Sequence, residues 1–207
     1  MLTVTTQELH LWPTPVRFVE APPDWHVHES LYQLAVGQAG DTPDTAAERR
    51  VRGILEAHPH GLELKAHLFA CVQGFLGDHA EYLDDAYCEN RALVIGDRGF
   101  INTHKDSREG DITCVYFLTG GGAGQPVNSV GNPRFVLEDS TRYFDEPRLP
   151  FEPRHGFAVN PRPGLAVLFP SYVPHNQHPY DGDVPHVQIV ANFRVNIPDD
   201  VEERLFD

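Results

Sequence analysis

The chain has 207 residues, 41% hydrophobic and 22% charged, a composition typical of one globular domain rather than a disordered chain. Its net charge of −14, with only 16 lysine and arginine residues, excludes the basic composition of a nucleic-acid-binding domain. The N-terminus lacks the basic and apolar regions of a signal peptide, and no apolar run approaches the ~20 residues of a membrane helix. We therefore expect a cytoplasmic protein with neither a nucleic-acid nor a membrane partner.

The sequence pattern of residues 1–60 predicts an extended segment, a helix and a loop. Leu11–Val19 is interrupted by prolines and is interpreted as extended, whereas the mixed stretch Trp25–Val36 is compatible with a helix. Gly37–Glu48 is rich in Gly, Asp, Thr and Pro, which is typical of a loop.

The strongest helical pattern covers residues 62–88, where apolar side chains recur every three or four positions. Gly74 and Gly77 weaken this helix, so a break into two helices is also possible. Cys71, Cys88 and Cys114 are far apart and form no C-x-x-C pair, which favours buried free thiols over a zinc ribbon or a disulfide framework. We expect residues 1–90 to be a mainly helical support region.

From residue 92 onward the hydrophobic period changes to two, and glycine and proline divide the chain into short segments. This pattern predicts an α+β protein of one domain, 1–207, in which residues 91–198 form a β-sandwich or jelly roll. The candidate strands are Ala92–Ile95, Gly99–Thr103, Ile112–Leu118, Arg134–Leu137, Gly164–Phe169 and His186–Val195.

His104 and Asp106 are the first part of a candidate metal site. They lie at the end of a predicted strand, where residues two apart point to the same face. His175 ends a second segment, in which an apolar strand leads into a proline-bounded turn. Two histidines and one carboxylate are the ligand set that holds non-haem Fe(II) and leaves coordination positions open for O₂ and an organic co-ligand.

Other histidines offer alternative ligand pairs. His26 and His28 are two apart, as are His58 and His60, and His178 could replace His175 if the turn is built differently. Neither pair has a nearby carboxylate on a clear strand, so the set of His104, Asp106 and His175 is favoured.

The chain resembles the small, largely uncharacterised oxygenases of the 2-oxoglutarate/Fe(II)-dependent dioxygenase superfamily. Leu11–Pro15 is similar to the family's opening Leu-Phe-Pro-Thr-Pro, Asn102–Asp106 falls at its first metal motif, and Cys114–Leu118 resembles its Gly-Val-Tyr-Tyr-Leu strand. Pro163–His175 resembles its Pro-x-Gly…Leu-Phe-Pro-Ser-Trp…His segment, and Ile189–Phe193 its closing Ile-Ser-Phe-Asn. The resemblance implies a double-stranded β-helix (jelly roll, cupin-like) with flanking N-terminal helices, and Fe(II) bound by His104, Asp106 and His175.

The same resemblance implies a co-substrate site at His186. A basic residue, usually arginine, follows the distal histidine in this family and pairs with the far carboxylate of 2-oxoglutarate; this chain has His186 there, with Gln188 two positions later. Histidine offers at best one charge-assisted bond where arginine offers a permanently charged fork. Help from Tyr116, or from Lys105, Arg91 or Arg98, is one explanation; a different register or an enzyme without 2-oxoglutarate are the others.

These observations lead us to expect a non-haem Fe(II) dioxygenase that oxidises a C–H bond of a small molecule with O₂, by default through hydroxylation, with 2-oxoglutarate as co-substrate. A 2-oxoglutarate-independent iron oxygenase and a cupin-like metal-binding protein without redox activity stay open as alternatives. The sequence identifies neither the substrate nor the oligomeric state.

Overall fold

The computed structural model describes residues 5–11, 14–40, 48–120, 134–138, 156–180 and 182–198. In this part of the chain two α-helices and a short 3-10 helix, Gly77–Tyr82, accompany eleven strands. The helices are α1 (Val27–Ala39) and α2 (Pro59–Leu76), and the strands are β1 (Thr5–Leu11), β2 (Thr14–Glu20), β3 (Arg49–Arg52), β4 (Leu83–Ile95), β5 (Ile101–His104), β6 (Ile112–Phe117), β7 (Phe135–Glu138), β8 (Gly156–Val159), β9 (Leu165–Pro170), β10 (His175–Gln177) and β11 (His186–Val195).

The strands form two antiparallel sheets. The larger has the order β1-β2-β9-β6-β11-β4-β3, and the smaller has the order β5-β10-β7-β8. Between them lies an apolar cluster to which both contribute, for example Val115 and Phe117 from β6 and Phe135 and Leu137 from β7. The two sheets therefore pack face to face as a sandwich.

The second face of the large sheet is covered by the helices. One apolar cluster joins this face to the helices: it contains Cys114 and Tyr116 of β6, Val187 and Ile189 of β11, Leu31 of α1 and Leu68 of α2. The alternate residues of β6, such as Val115 and Phe117, face the sandwich interior. Because β6 and β11 lie between two apolar layers, both of their faces are buried. The predicted α+β class, with a mostly antiparallel sheet and N-terminal helices, is confirmed.

The predicted helix over residues 62–88 is wrong beyond residue 76. His58 caps α2 by accepting the backbone N–H of His60, and Pro59 occupies its first turn. Gly77 ends it with φ of 58°, a left-handed conformation that favours glycine. The chain then forms a 3-10 turn and enters β4 at Leu83, so the apolar spacing at Tyr82 and Leu83 belongs to a turn and a strand.

The first 90 residues are less helical than predicted. They supply β1, β2, β3 and the first half of β4 to the large sheet, so the boundary between helical support and sheet does not lie at residue 90. Trp25–Val36 overlaps α1, as predicted, and the predicted strand His186–Val195 coincides with β11. Cys71, Cys88 and Cys114 are free thiols, as expected. Neither helix in the described ranges has the length and apolar character needed to cross a membrane.

Candidate metal centre

The ends of two neighbouring strands bring His104, Asp106 and His175 together. His104 is the last residue of β5, His175 is the first of β10, and the antiparallel register pairs them directly. Asp106 follows two residues after His104, and its backbone N–H donates to the carbonyl of Ser171 over 3.1 Å. Register and a loop hydrogen bond thus fix all three side chains on one side of the small sheet.

The three side chains converge with metal-like spacing. One ligand atom from each lies within 4.8 Å of the others. The carboxylate of Asp106 is 3.6 Å from Nε2 of His104 and 3.8 Å from Nε2 of His175. Asp106 and His175 are 2% and 3% exposed, whereas His104 is partly open to solvent. In the described part of the chain, no other group of three His, Cys, Asp or Glu residues meets this spacing.

Backbone carbonyls set the orientation of both imidazoles. Nδ1 of His104 donates to Asn102 O over 2.8 Å, and Nδ1 of His175 donates to Val173 O over 3.1 Å. Each ring therefore keeps its proton on Nδ1 and directs the Nε2 lone pair toward Asp106, an arrangement common around metal-bound histidines. Burial and the neighbouring His104 lower the pKa of His175 to about 4, so this ring is neutral at pH 7.

Arg91 links the carboxylate of Asp106 to that of Glu109 in a charged network. Arg91, 4% exposed on β4, donates to Oδ1 of Asp106 over 3.2 Å and also pairs with Glu109. Glu109 accepts in turn from Nδ2 of Asn192 over 3.2 Å, and Asn192 accepts from Thr113 over 2.8 Å. Asp106 Oδ2 has no hydrogen-bond partner among the described residues, so one oxygen is held and the other is available to a metal.

His186 and Gln188 lie in the sandwich interior. Side chains alternate along β11, and Val187 and Ile189 point to the helix side. His186 is 0% exposed and Gln188 is 2% exposed. The His186 ring lies beside Phe117 and Tyr180, with centroids 6.0 and 5.9 Å away, and its Nδ1 is 3.0 Å from Thr119 Oγ1. Phe117 and Phe135 connect it, ring to ring, with His175.

The structure does not support a co-substrate role for Tyr116. Its side chain points to the helix side of the large sheet, and its hydroxyl donates to Nε2 of His28 over 2.6 Å. Both faces of β6 are buried, so the alternation of apolar residues gave no indication of which face meets the site. The β-sheet itself separates Tyr116 from His186 and Gln188.

The other predicted cations differ in their relation to the site. Arg98 is exposed and pairs with Asp97, and Lys105 is also exposed. Of Arg91, Arg98 and Lys105, only Arg91 is buried in the interior. Its burial and its contact with Asp106 were not predicted, although its position in β4, on the same face as Leu93 and Ile95, was a usable signal.

The alternative histidine pairs have other partners. His28 donates from Nδ1 to Pro23 O and accepts from Tyr116, while His26 contacts Glu63 over 3.1 Å on the surface. His58 caps α2 through the N–H of His60. His178 is exposed on the segment after β10, whereas His175 faces the interior.

A cavity of about 500 Å³ opens beside His104 and Asp106. Its wall combines charged side chains with the aromatic ring of Phe100, which is 40% exposed. The residues that line it are Glu48, Arg50, Arg91, Phe100, Ile101, Asn102, His104, Lys105, Asp106 and Glu109. The space is large enough for a small organic molecule next to the candidate ligands.

No family model matches the chain, and no curated protein matches it by sequence. Solved structures do match its fold. A prolyl-4-hydroxylase of Pseudomonas putida shares 16% identity at a TM-score of 0.59, covering 94% of this chain and 93% of that one. EvdO2 from Micromonospora carbonacea var. aurantiaca, complexed with 2-oxoglutarate, shares 16% identity at a TM-score of 0.62, covering 93% of each chain.

A third similar structure contains both a metal and a co-substrate. The epimerase SnoN from nogalamycin biosynthesis, in complex with Fe³⁺, alpha ketoglutarate and nogalamycin RO, shares 12% identity at a TM-score of 0.58, covering 86% of this chain and 78% of that one. At such identities the likeness concerns the fold. The chain therefore has the fold of the 2-oxoglutarate/Fe(II)-dependent oxygenases and carries a largely buried His-Asp-His group at its strand ends.

Proposed function

We propose that this protein is a non-haem Fe(II)-dependent dioxygenase that uses 2-oxoglutarate and O₂ to oxidise a C–H bond of a small molecule. The observation that carries the proposal is the convergence of His104, Asp106 and His175 within 4.8 Å at the ends of β5 and β10. A chance cluster of polar residues would not be expected to combine this spacing with two fixed imidazole tautomers and one bare carboxylate oxygen.

The donor set fits Fe(II). Two imidazoles and one carboxylate oxygen would occupy three coordination positions and leave the others open. The orphaned Oδ2 of Asp106 supports this, because a buried carboxylate oxygen without a partner is costly unless a cation or donor satisfies it. Arg91 holds the second oxygen, which favours monodentate binding by Asp106.

Iron in such a site, with 2-oxoglutarate as reductant, supplies the activation of O₂ that C–H oxidation requires. The residues of this chain bind and orient the reactants and exclude water. Phe135 and Phe169 pack against the ring of His175, with centroids 5.5 and 5.0 Å away, and keep that side of the site dry. The strand-end positions of His104 and His175 hold the ligands rigidly.

We infer that the eight strands β4–β11 form a double-stranded β-helix within a single domain. Their order supports this: β4, β11, β6 and β9 lie side by side in the large sheet, and β5, β10, β7 and β8 lie side by side in the small one. Alternate strands of the chain thus fall in opposite sheets along much of this segment, as in a jelly roll.

2-Oxoglutarate fits an interior with unpartnered polar atoms. Nε2 of His186 and Oε1 of Gln188 are buried without a hydrogen-bond partner among the described residues, and so are both amide atoms of Gln177 on β10. The His186 ring lies beside Phe117 and Tyr180, and its unpartnered nitrogen supports His186 and Gln188 as binders of a polar co-substrate. The 500 Å³ cavity beside His104 then serves for a small-molecule substrate.

An anaerobic titration of the Fe(II)-loaded protein with 2-oxoglutarate tests the proposal. We expect a visible charge-transfer band that saturates with the co-substrate in the wild type and in His178→Ala, an exposed matched control, and no band in His175→Ala. Consumption of O₂ and decarboxylation of 2-oxoglutarate should follow on admitting oxygen.

A second candidate function is a 2-oxoglutarate-independent iron oxygenase, favoured by a neutral His186 where a fixed cation is usual. This candidate predicts bound iron and O₂ consumption with substrate but no band with 2-oxoglutarate. A metal-binding protein without redox activity predicts bound metal and no O₂ consumption with any reductant.

A further inference from the structure

His186 is an isolated polar group in the dry interior. It is 0% exposed, and its Nε2 has no hydrogen-bond partner among the described residues. Oε1 of Gln188, two residues along the same face of β11, is also buried and unpartnered. Buried polar atoms are normally satisfied, so adjacent exceptions indicate a place where a ligand completes the hydrogen bonding.

Thr119 contacts the Nδ1 side of the His186 ring. Its Oγ1 accepts the backbone N–H of Val187 over 2.8 Å. The same Oγ1 lies 3.0 Å from Nδ1 of His186 and 3.5 Å from Val187 O. Thr119 therefore engages Nδ1, and Nε2 is the ring nitrogen that faces the interior without a hydrogen-bond partner among the described residues.

Among the described residues, the titratable side chains that face His186 supply no uncommitted positive charge. Tyr180 packs on the ring and donates its hydroxyl to Val184 O. Arg91 faces the interior from β4 but is engaged by Asp106 and Glu109. β5 and β10 bring His104, Asp106 and His175. The interior-facing residues of β6 and β9 carry no titratable group: Thr113 is polar and donates to Asn192, and the others are apolar.

A carboxylate that enters this interior needs a positive partner, because an unpaired buried charge is strongly unfavourable. We propose that 2-oxoglutarate binds together with a proton, which is taken up at His186 to form an imidazolium–carboxylate pair through Nε2, with Gln188 as a second hydrogen-bond partner of the co-substrate. This inference rests on the proposed function and concerns how the same site recognises its co-substrate.

Burial lowers the pKa of His186 to about 4, against smaller opposing effects of Gln188 and the Gly120 backbone. The free protein therefore has a neutral ring at pH 7, and the proton comes from solvent when the carboxylate binds. By linkage, the dissociation constant of 2-oxoglutarate rises with pH, by up to about tenfold per unit between the free and bound pKa values. A permanently charged arginine would produce no such dependence.

Titration calorimetry on the Ni(II)-loaded protein measures this coupling without turnover. Binding of 2-oxoglutarate is recorded at pH 6.5 and 7.5 in pairs of buffers that differ in ionisation enthalpy. The slope of the observed binding enthalpy against the buffer ionisation enthalpy gives the number of protons taken up. We expect roughly half to one proton per 2-oxoglutarate in the wild type and in His178→Arg. His186→Arg should bind 2-oxoglutarate with no proton uptake and with an affinity that is constant between these pH values.

Should His186→Arg fail to fold, His186→Asn serves instead, with lost proton uptake and weakened, pH-independent binding as the expected result. Wild-type binding without proton uptake, or unchanged uptake in either variant, overturns the inference and leaves the proposed function intact. A metal-loaded wild type that binds no 2-oxoglutarate at either pH contradicts the 2-oxoglutarate-dependent function itself.

Discussion

Arg91 donates to Oδ1 of Asp106 over 3.2 Å, while the other oxygen of Asp106 faces His175 without a hydrogen-bond partner among the described residues. The buried guanidinium thus hydrogen-bonds one oxygen of the carboxylate, and the described residues leave the other oxygen without a partner. Its second partner, Glu109, connects the pair with Asn192 and Thr113, so the candidate ligand is fixed from the strand behind it.

Replacement of Arg91 should destabilise the metal-free protein. Arg91→Met leaves the buried Asp106 and the partly buried Glu109 without a counter-charge, and we expect a loss of about 3–5 kcal/mol in the free energy of unfolding in urea. A divalent ion should reduce this loss, because it supplies positive charge to Asp106. Arg52→Met is the matched control: its pair with Glu89 is exposed, so a change below about 1 kcal/mol is expected. Equal losses in the two variants would contradict the supporting role of Arg91.

Tyr116→Phe should reduce stability and leave the candidate site unchanged. The substitution removes a buried hydrogen bond to His28 beneath α1, which leaves Nε2 of His28 unsatisfied and costs about 1–3 kcal/mol. Tyr172→Phe removes an exposed hydroxyl and should change the free energy of unfolding by less than about 0.5 kcal/mol. Chemical denaturation and 2-oxoglutarate binding are measured on both variants. A loss of 2-oxoglutarate affinity in Tyr116→Phe with unchanged stability would restore Tyr116 as a co-substrate residue.

Acid should destabilise the metal-free protein through His186. The pKa of His186 is about 4 in the folded state, below its ordinary value of 6.5, so the unfolded chain takes up a proton first as the pH falls. The free energy of unfolding is therefore highest above pH 6.5. It falls as the pH is lowered to about 4, by roughly 3 kcal/mol at most. His186→Asn removes this contribution, so its stability should fall less steeply than that of the wild type. Parallel pH profiles would show that His186 is not neutral and buried in solution.

Much of the site could be predicted because its signals are local. The His-x-Asp pair and the segment that ends at His175 lie at strand ends that the two-residue period identifies, and the register then brings His104 opposite His175. Strand β11 was predicted with its observed bounds, since ten residues without glycine or proline follow a clear break.

The errors have physical causes that a single sequence hides. Leu83–Cys88 continues the apolar spacing of α2, although the left-handed backbone of Gly77 ends the helix and a 3-10 turn precedes the strand. β3 consists mainly of arginines at the edge of the sheet, so it carries no apolar alternation. The sequence does not tell on which face of β6 Tyr116 lies, because both faces of this strand are buried. Gly120–Gly124, whose glycines are typical of a flexible turn, and Gly120–Pro161, which we interpret as a lid, lie largely outside the described residues.

The central claim, that His104, Asp106 and His175 hold Fe(II), is tested most directly by the iron content after anaerobic loading and gel filtration. We predict about one Fe(II) per chain in the wild type and in His178→Ala, and less than about a tenth of that in His175→Ala, because one of only three protein ligands is lost. Circular dichroism establishes that the variants are folded. Iron retained by folded His175→Ala, or lost from His178→Ala, would contradict the account.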